Sequence, residues 1–121
     1  MAVDEVCGTI VFESKPTGDF SNAVIYVRLE DTSVADAPSE TVAETELKQL
    51  STELIENGEI PFTLKVQQKL EPRKRYTVSV HVDILGRGHD RINRGDYINT
   101  QSYPVLTLGY PTCVDILVHR V

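Results

Sequence analysis

The feature that most constrains the fold of this chain is a series of short segments in which apolar and polar residues alternate. Each is bounded by Gly, Pro, Asn, Asp or Ser, which is typical of β-strands separated by turns. The seven segments are Glu5–Glu13, Asn22–Asp31, Glu40–Leu50, Glu59–Val66, Lys74–Ile84, Tyr97–Thr100 and Cys113–Val121. The connections between them are too short for crossover helices, so the sequence predicts an all-β fold with antiparallel pairing.

The length and composition narrow this prediction to one architecture. A chain of 121 residues is long enough for one ordinary domain, and without Trp and with only 3 Phe its core must rest on Val, Ile and Leu. Seven short strands around such a core predict a seven-stranded antiparallel sandwich with an immunoglobulin-like or transthyretin-like Greek key. We expect residues 1–121 to form this single β-sandwich domain.

The pattern of apolar residues is clear in one predicted strand and ambiguous in another. In Lys74–Ile84 the alternation predicts one buried face and one solvent-exposed face, the latter including His81 and Asp83. In residues 40–56 the pattern is ambiguous, because Val42, Leu47, Leu50 and Leu54 have helix-like spacing. The hairpin signal at residues 57–58 favours a strand, and a covering helix stays open as the alternative.

The charge of the chain excludes some functions and localises others. A net charge of −6 argues against a nucleic-acid partner, whose binding proteins are normally basic. Residues 1–64 carry 3 basic and 13 acidic side chains, a net charge of −10, whereas residues 65–121 carry 9 and 5, a net charge of +4. Some of the positive charge lies in two loops, which could bind an acidic partner segment. A solvated surface is the simpler alternative.

Cellular location is predicted from the ends and the hydropathy of the chain. No window approaches the 18 or so apolar residues of a membrane span, so we expect none. Asp4 and Glu5 stand where a secretory leader has basic residues. As written, the sequence is expected to be leaderless and soluble, which favours the cytoplasm.

The longest irregular connection, Gly86–Asp96, is the strongest candidate site. Long loops in compact domains are often functional, and this one contains three Gly and three Arg. Its candidate binding residues are Arg87, His89, Asp90, Arg91, Arg94 and Asp96. Deleting Arg87–Arg94 is expected to abolish capture of a protein partner and to leave the melting temperature nearly unchanged.

The two cysteines lie on the first and last predicted strands. If these strands are neighbours, Cys7 and Cys113 can form a disulfide, and closing so long a loop would add about 4 kcal/mol in the entropic model. In a reducing cytosol they would instead be two free thiols. Both possibilities stay open from the sequence.

Chemical activity has little support. The chain has no G-x-S-x-G nucleophile motif and no close metal-ligand spacing, so we predict neither an enzyme nor a cofactor. His81, Asp83 and His89 are weak metal candidates, for which solvated surface side chains are the simpler interpretation. The alternatives to protein binding are a small-ligand or metal-binding sandwich and a structural homodimer paired through exposed strand edges.

Several stretches resemble one known family. They are Leu29-Glu30-Asp31-Thr32-Ser33-Val34-Ala35-Asp36-Ala37-Pro38, Ile60-Pro61-Phe62-Thr63-Leu64, Tyr103-Pro104-Val105-Leu106-Thr107-Leu108-Gly109 and Val114-Asp115-Ile116-Leu117-Val118. Together they make the chain similar to the YbaY-like bacterial lipoproteins, which include the YscW-type lipoprotein chaperones (pilotins) of type III secretion. The resemblance implies a non-catalytic β-sandwich without a cofactor, located in the periplasm or anchored at the outer membrane. It also implies a protein partner, an outer-membrane secretion protein.

Overall fold

Eight β-strands form within the residues that the structure, a computed structural model, describes: 4–13, 20–33, 39–48, 57–88 and 91–121. They are β1 (Asp4–Phe12), β2 (Val24–Asp31), β3 (Glu40–Leu47), β4 (Glu59–Val66), β5 (Tyr76–Asp83), β6 (Tyr97–Ile98), β7 (Pro104–Val105) and β8 (Cys113–Arg120). The all-β prediction and all seven predicted strands are confirmed. The eighth strand, β7, is too short to leave a repeating pattern in the sequence.

The strands form one mixed sheet in the order β3-β2-β5-β6-β8-β1-β4, with β7 paired to β5. β1 and β8 run parallel, with Ile10 opposite Ile116, so the prediction of purely antiparallel pairing is wrong for this pair. The physical reason is that β1 and β8 are the first and last strands. No hairpin joins them, and an alternating pattern carries no information on strand direction.

The sheet is nearly closed into a barrel and is not clearly the predicted sandwich. β3 and β4, the two ends of the strand order, come into contact with each other. Beside this contact lies an open groove of about 380 Å³, lined by Val42, Ala43, Glu44, Lys65, Gln67 and Gln68. Each of β3 and β4 has one hydrogen-bonded neighbour among the described strands. These are the exposed edges on which the predicted homodimer would depend.

The short strand β6 joins the two halves of the sheet. It pairs with β5 on one side and with β8 on the other, through two residues on each side. It therefore links β3-β2-β5 to β8-β1-β4. Phe12 and Tyr97 pack edge to face at this link, with ring centroids 4.9 Å apart.

The core contains the predicted aliphatic side chains and some polar ones. β4 alternates strictly, with Ile60, Phe62, Leu64 and Val66 buried between exposed neighbours. β5 does not, because His81 and Asp83 are buried as well, and the prediction of a solvent-exposed second face is wrong. On that face of β5, His81 is in contact with Tyr26 of β2 and with Asp96, at the end of the loop that follows β5.

Two further predictions concern residues 40–56 and the membrane. Residues 40–47 form β3, as the strand prediction required, whereas residues 49–56 lie outside the described part of the chain. Within the described ranges, no helix is long and apolar enough to cross a membrane.

Candidate functional site

The candidate site is the loop of residues 84–96, which we call the Arg loop. It follows β5 and leads into β6, at the end of the barrel where β8 also ends. Backbone bonds tie it to the last residue, because Val121 N donates to Asp96 O at 2.8 Å and Gly95 N donates to Val121 O at 3.1 Å. The loop is therefore fixed to both β5 and β8.

Asp96 holds the base of the Arg loop together. Its carboxylate accepts hydrogen bonds from Ile84 N at 3.1 Å and Asn93 N at 2.9 Å. It also contacts His81 Nε2 at 2.9 Å. Both side chains of this last pair are buried, so the contact is shielded from water. Asp96, predicted to contact a partner, instead joins the first residues of the loop to its last ones.

Asp83, the last residue of β5, also holds the Arg loop in place through a hydrogen bond. One carboxylate oxygen accepts a hydrogen bond from Gly88 N at 2.8 Å. The other, Oδ1, is buried without a hydrogen-bond partner in the described part of the chain. Because an unsatisfied buried carboxylate oxygen is costly, replacing Asp83 changes stability as well as the loop.

The same polar cluster affects a tyrosine on the neighbouring strand. The Tyr26 ring lies 5.9 Å from the His81 ring. Burial raises the pKa of the Tyr26 hydroxyl above 10.0, and the nearby carboxylates of Glu46 and Asp83 raise it further. The Tyr26 hydroxyl is consequently neutral at physiological pH, and it adds no charge to this region.

The outer surface of the Arg loop is basic and partly apolar. Arg87, Arg91 and Arg94 are exposed, and none forms a salt bridge with a described acidic side chain. Leu85 and Ile92 lie on the same loop, each with 53% of its surface accessible. His89 and Asp90, the other two predicted residues, lie outside the described residues. The loop thus combines three exposed cations with two exposed aliphatic side chains.

This arrangement suits binding to a protein segment. Guanidinium groups bind carboxylates through paired hydrogen bonds, and exposed aliphatic side chains lose contact with water when a partner covers them. In contrast, His81 is buried beneath the loop and is shielded from dissolved molecules. In charge and hydrophobicity, the exposed surface of the loop complements a segment that combines acidic and aliphatic residues.

Two of the three metal candidates, His81 and Asp83, lie in the described part of the chain and belong to no metal-binding group there. Among the residues that the structure describes, no group of three or more His, Cys, Asp or Glu side chains could hold a metal ion. His81 and Asp83 are buried, so the interpretation of these two as solvated surface side chains is wrong. The Arg loop covers them, since Asp96 contacts His81 and Gly88 N donates to Asp83, and alternation along one strand does not reveal such a cover.

The cysteines meet at the opposite end of β8. Cys7 and Cys113 lie directly opposite each other in the parallel ladder, with their Cα atoms 4.5 Å apart. The structure joins their sulfur atoms in a disulfide bond. The bond connects the first strand to the last.

Sequence reasoning missed the apolar part of the loop and its buried base. Leu85 and Ile92 are single aliphatic residues in a polar stretch, and such residues carry little signal by themselves. The buried polar contacts beneath the Arg loop left a weak signal in the sequence. The signal consists of two polar residues, His81 and Asp83, within the apolar strand β5, and of Asp96 at the end of the loop.

Comparisons with known proteins agree with this fold. A family model described as "Type III secretion system lipoprotein chaperone (YscW)" matches residues 2–118. The chain is also similar to a solved structure, an alternative pilotin from the type II secretion system of Vibrio cholerae. The two are 22% identical, with a TM-score of 0.77 over 99% of this chain and 98% of the other, and at this identity the likeness shows the fold alone. No curated protein matches the chain.

Proposed function

The chain belongs to the YscW family of type III secretion system lipoprotein chaperones, and from this we propose that it binds a secretin through the Arg loop. The family is one of chaperones, so the predicted family resemblance and the prediction of a non-catalytic protein are both confirmed. The secretin partner and the location of its contact on this chain are the proposed parts.

The observation that carries the proposal is the set of three exposed arginines. Arg87, Arg91 and Arg94 lie on the same loop as Ile92, and hydrogen bonds to the buried carboxylate of Asp96 fix the two ends of this loop. A fixed base lowers the ordering cost of binding, because the loop is largely arranged before the partner arrives. Charge on the loop increases the rate of encounter with an acidic segment, and Leu85 and Ile92 bury apolar area once the segment is bound.

The experiment compares two triple variants of equal charge. The first, Arg87→Gln with Arg91→Gln and Arg94→Gln, removes the cations of the Arg loop. The second, Lys65→Gln with Lys69→Gln and Arg73→Gln, removes three exposed cations elsewhere. Binding of a purified secretin carboxyl-terminal region is then measured by calorimetry at two salt concentrations.

We expect the Arg-loop variant to bind about tenfold more weakly and the control variant to bind like the wild type. The estimate takes about 0.5 kcal/mol for each of three partly exposed charge pairs. Salt should weaken wild-type binding more than binding of the Arg-loop variant, because exposed charge pairs are screened. Equal affinities for the two triple variants would contradict the proposed contact site.

Substitution is a better test than the deletion of residues 87–94. The deletion removes Gly88 N and Asn93 N, which donate to the buried carboxylates of Asp83 and Asp96. The melting temperature would then fall, and loss of binding could reflect loss of folding. Glutamine in place of arginine leaves these backbone donors where they are.

A further inference from the structure

A second exposed site lies at the other end of β8, in the turn of residues 106–112, which we call the β8-entry turn. It leads into β8 at Cys113, and Thr112 O accepts a hydrogen bond from Cys7 N at 3.0 Å. β8 has eight residues, so the β8-entry turn and the Arg loop are about 25 Å apart. The two sites are at opposite ends of the barrel.

The backbone of the β8-entry turn is held in an unfavourable conformation. Leu106 has φ of 72° and Leu108 has φ of 57°, and these are the non-glycine residues with positive φ in the described part of the chain. Leucine rarely adopts such angles, because its Cβ approaches the backbone too closely. Backbone strain of this kind often occurs where a fold positions side chains for binding.

Backbone hydrogen bonds fix the shape of the turn. Thr107 N donates to Val105 O at 2.8 Å, Tyr110 N donates to Thr107 O at 3.0 Å, and Leu106 N donates to Pro111 O at 3.0 Å. The hydroxyl of Thr107 donates to Lys74 O at 2.5 Å, which places the turn beside Lys74 and its exposed neighbour Arg73.

The strained turn exposes two large apolar side chains. Leu108 is 57% accessible and Tyr110 is 40% accessible. Leucine is apolar throughout, whereas tyrosine combines an apolar ring with a hydroxyl, and this second type is enriched where a membrane meets water. Arg73, one residue before Lys74, has an exposed guanidinium at this end of the barrel, and such a group can bind a lipid phosphate.

The position of β1 indicates what this end of the barrel faces. β1 begins at Asp4, at the end of the barrel that carries the β8-entry turn, because Cys7 N donates to Thr112 O. In a lipoprotein of this family, a lipid attached to a segment preceding β1 would hold this end of the barrel nearest to the bilayer. This step rests on the proposed function as a secretion lipoprotein chaperone.

We propose that the β8-entry turn is a membrane-contact site, where Leu108 and Tyr110 enter the headgroup region of a phospholipid bilayer. Two such side chains bind a membrane weakly by themselves. A tether raises their effective concentration at the surface, so the contact forms in the anchored protein. The Arg loop then faces away from the bilayer and remains accessible to a secretin.

The absence of Trp from the chain allows a direct test with single-tryptophan reporters. Tyr110→Trp reports on the β8-entry turn, and Ile92→Trp reports on the Arg loop at the opposite end. Each full-length variant is tethered through an amino-terminal histidine tag to phosphatidylethanolamine and phosphatidylglycerol vesicles that contain a nickel-chelating lipid. Tryptophan emission is recorded with and without brominated acyl chains.

We expect the Tyr110→Trp emission to shift to shorter wavelength and to lose intensity with brominated lipid, while the Ile92→Trp emission stays unchanged. Adding Leu108→Ser to the Tyr110→Trp variant should reduce the quenching, which controls for the membrane affinity of tryptophan itself. Circular dichroism checks that each variant is folded.

Two results would overturn the proposal. The first is an equal wavelength shift and equal quenching by brominated lipid for the two reporters on vesicles. The second is a Tyr110→Trp shift caused by the secretin region without vesicles, which would make the turn a protein contact. Neither result depends on whether the Arg-loop substitutions weaken secretin binding, so failure of the membrane contact can be distinguished from failure of the proposed function.

Discussion

The Arg loop and the β8-entry turn lie at opposite ends of the same strand and are held in different ways. Buried side chains hold the Arg loop, since the Asp96 carboxylate joins Ile84 and Asn93 to each other and to His81. Backbone hydrogen bonds and one bond from the Thr107 hydroxyl to Lys74 O hold the β8-entry turn, with two leucines at positive φ. When buried side chains anchor a loop, its outer residues can be replaced without changing the shape of the loop. The shape of a strained turn instead depends on the residues that adopt the positive φ.

The two ends also differ in their exposed chemistry. The Arg loop carries three exposed arginines beside aliphatic residues, whereas the β8-entry turn carries Leu108 and Tyr110. The first combination suits an acidic protein segment and the second suits the surface of a bilayer. The two ends of the barrel therefore suit different partners, and three predictions test how each end is stabilised.

The largest expected effect comes from the disulfide beside the β8-entry turn. The double variant Cys7→Ser with Cys113→Ser should lose about 4 kcal/mol of unfolding free energy, because the bond closes a loop with a sequence separation of 106. Urea denaturation with and without reductant measures the loss. The Arg loop should keep its secretin affinity in the folded double variant, since it lies at the other end of β8.

Thiol labelling provides the control for this prediction. Wild-type protein purified under oxidising conditions should resist alkylation until it is reduced, and reductant should then lower its stability to that of the serine variant. Two thiols that react without reduction would show that Cys7 and Cys113 are not bonded in solution.

The second prediction concerns the base of the Arg loop. Asp96→Ala leaves the backbone donors of Ile84 and Asn93 and the buried ring of His81 without their carboxylate. Leaving the two partly buried backbone donors unsatisfied and removing the buried contact with His81 should cost about 3 kcal/mol of unfolding free energy. Secretin binding should weaken as well, because the loop loses its fixed base. Urea denaturation and calorimetry measure the two effects.

Asp115→Ala is the matched control, because Asp115 is exposed on β8. Its unfolding free energy should stay within about 0.5 kcal/mol of the wild-type value. If the two alanine variants were equally stable, the buried contacts of Asp96 would not be what holds the Arg loop.

β5 shows how much of the fold was predictable from the sequence. Alternation correctly placed Val78, Val80 and Val82 in the core, because side chains on one face of a strand share one environment. It failed for His81 and Asp83, which are buried by a loop that folds back over the other face. The pattern of one strand contains no information about what covers it.

The site was predictable to a similar extent. Charge and loop length correctly drew attention to Arg87, Arg91 and Arg94, whose exposure follows from their location in a polar loop. The role of Asp96 was not predictable, because it depends on contacts with residues up to 15 positions away that only the folded loop brings together. The strain at Leu108 was hidden for the same reason, since leucine is not a residue that signals positive φ.

The smallest expected effect has the opposite sign and concerns this strain. Leu108→Asn should stabilise the protein by about 1 kcal/mol, because asparagine tolerates the left-handed backbone region better than leucine does. Little burial is lost, since the Leu108 side chain is largely exposed. Thermal denaturation of the wild type and the variant measures the gain.

Leu85→Asn makes the same chemical change at the other end of the barrel. Leu85 is exposed to a similar degree but does not have a positive φ, so its replacement should leave the melting temperature unchanged. A gain at residue 108 together with none at residue 85 would locate the strain in the β8-entry turn.

The stabilised Leu108→Asn variant should also bind tethered bilayers less well, because the turn exposes a leucine side chain that asparagine cannot replace in the headgroup region. Stabilisation without loss of bilayer contact would show that the Leu108 side chain has no part in membrane binding.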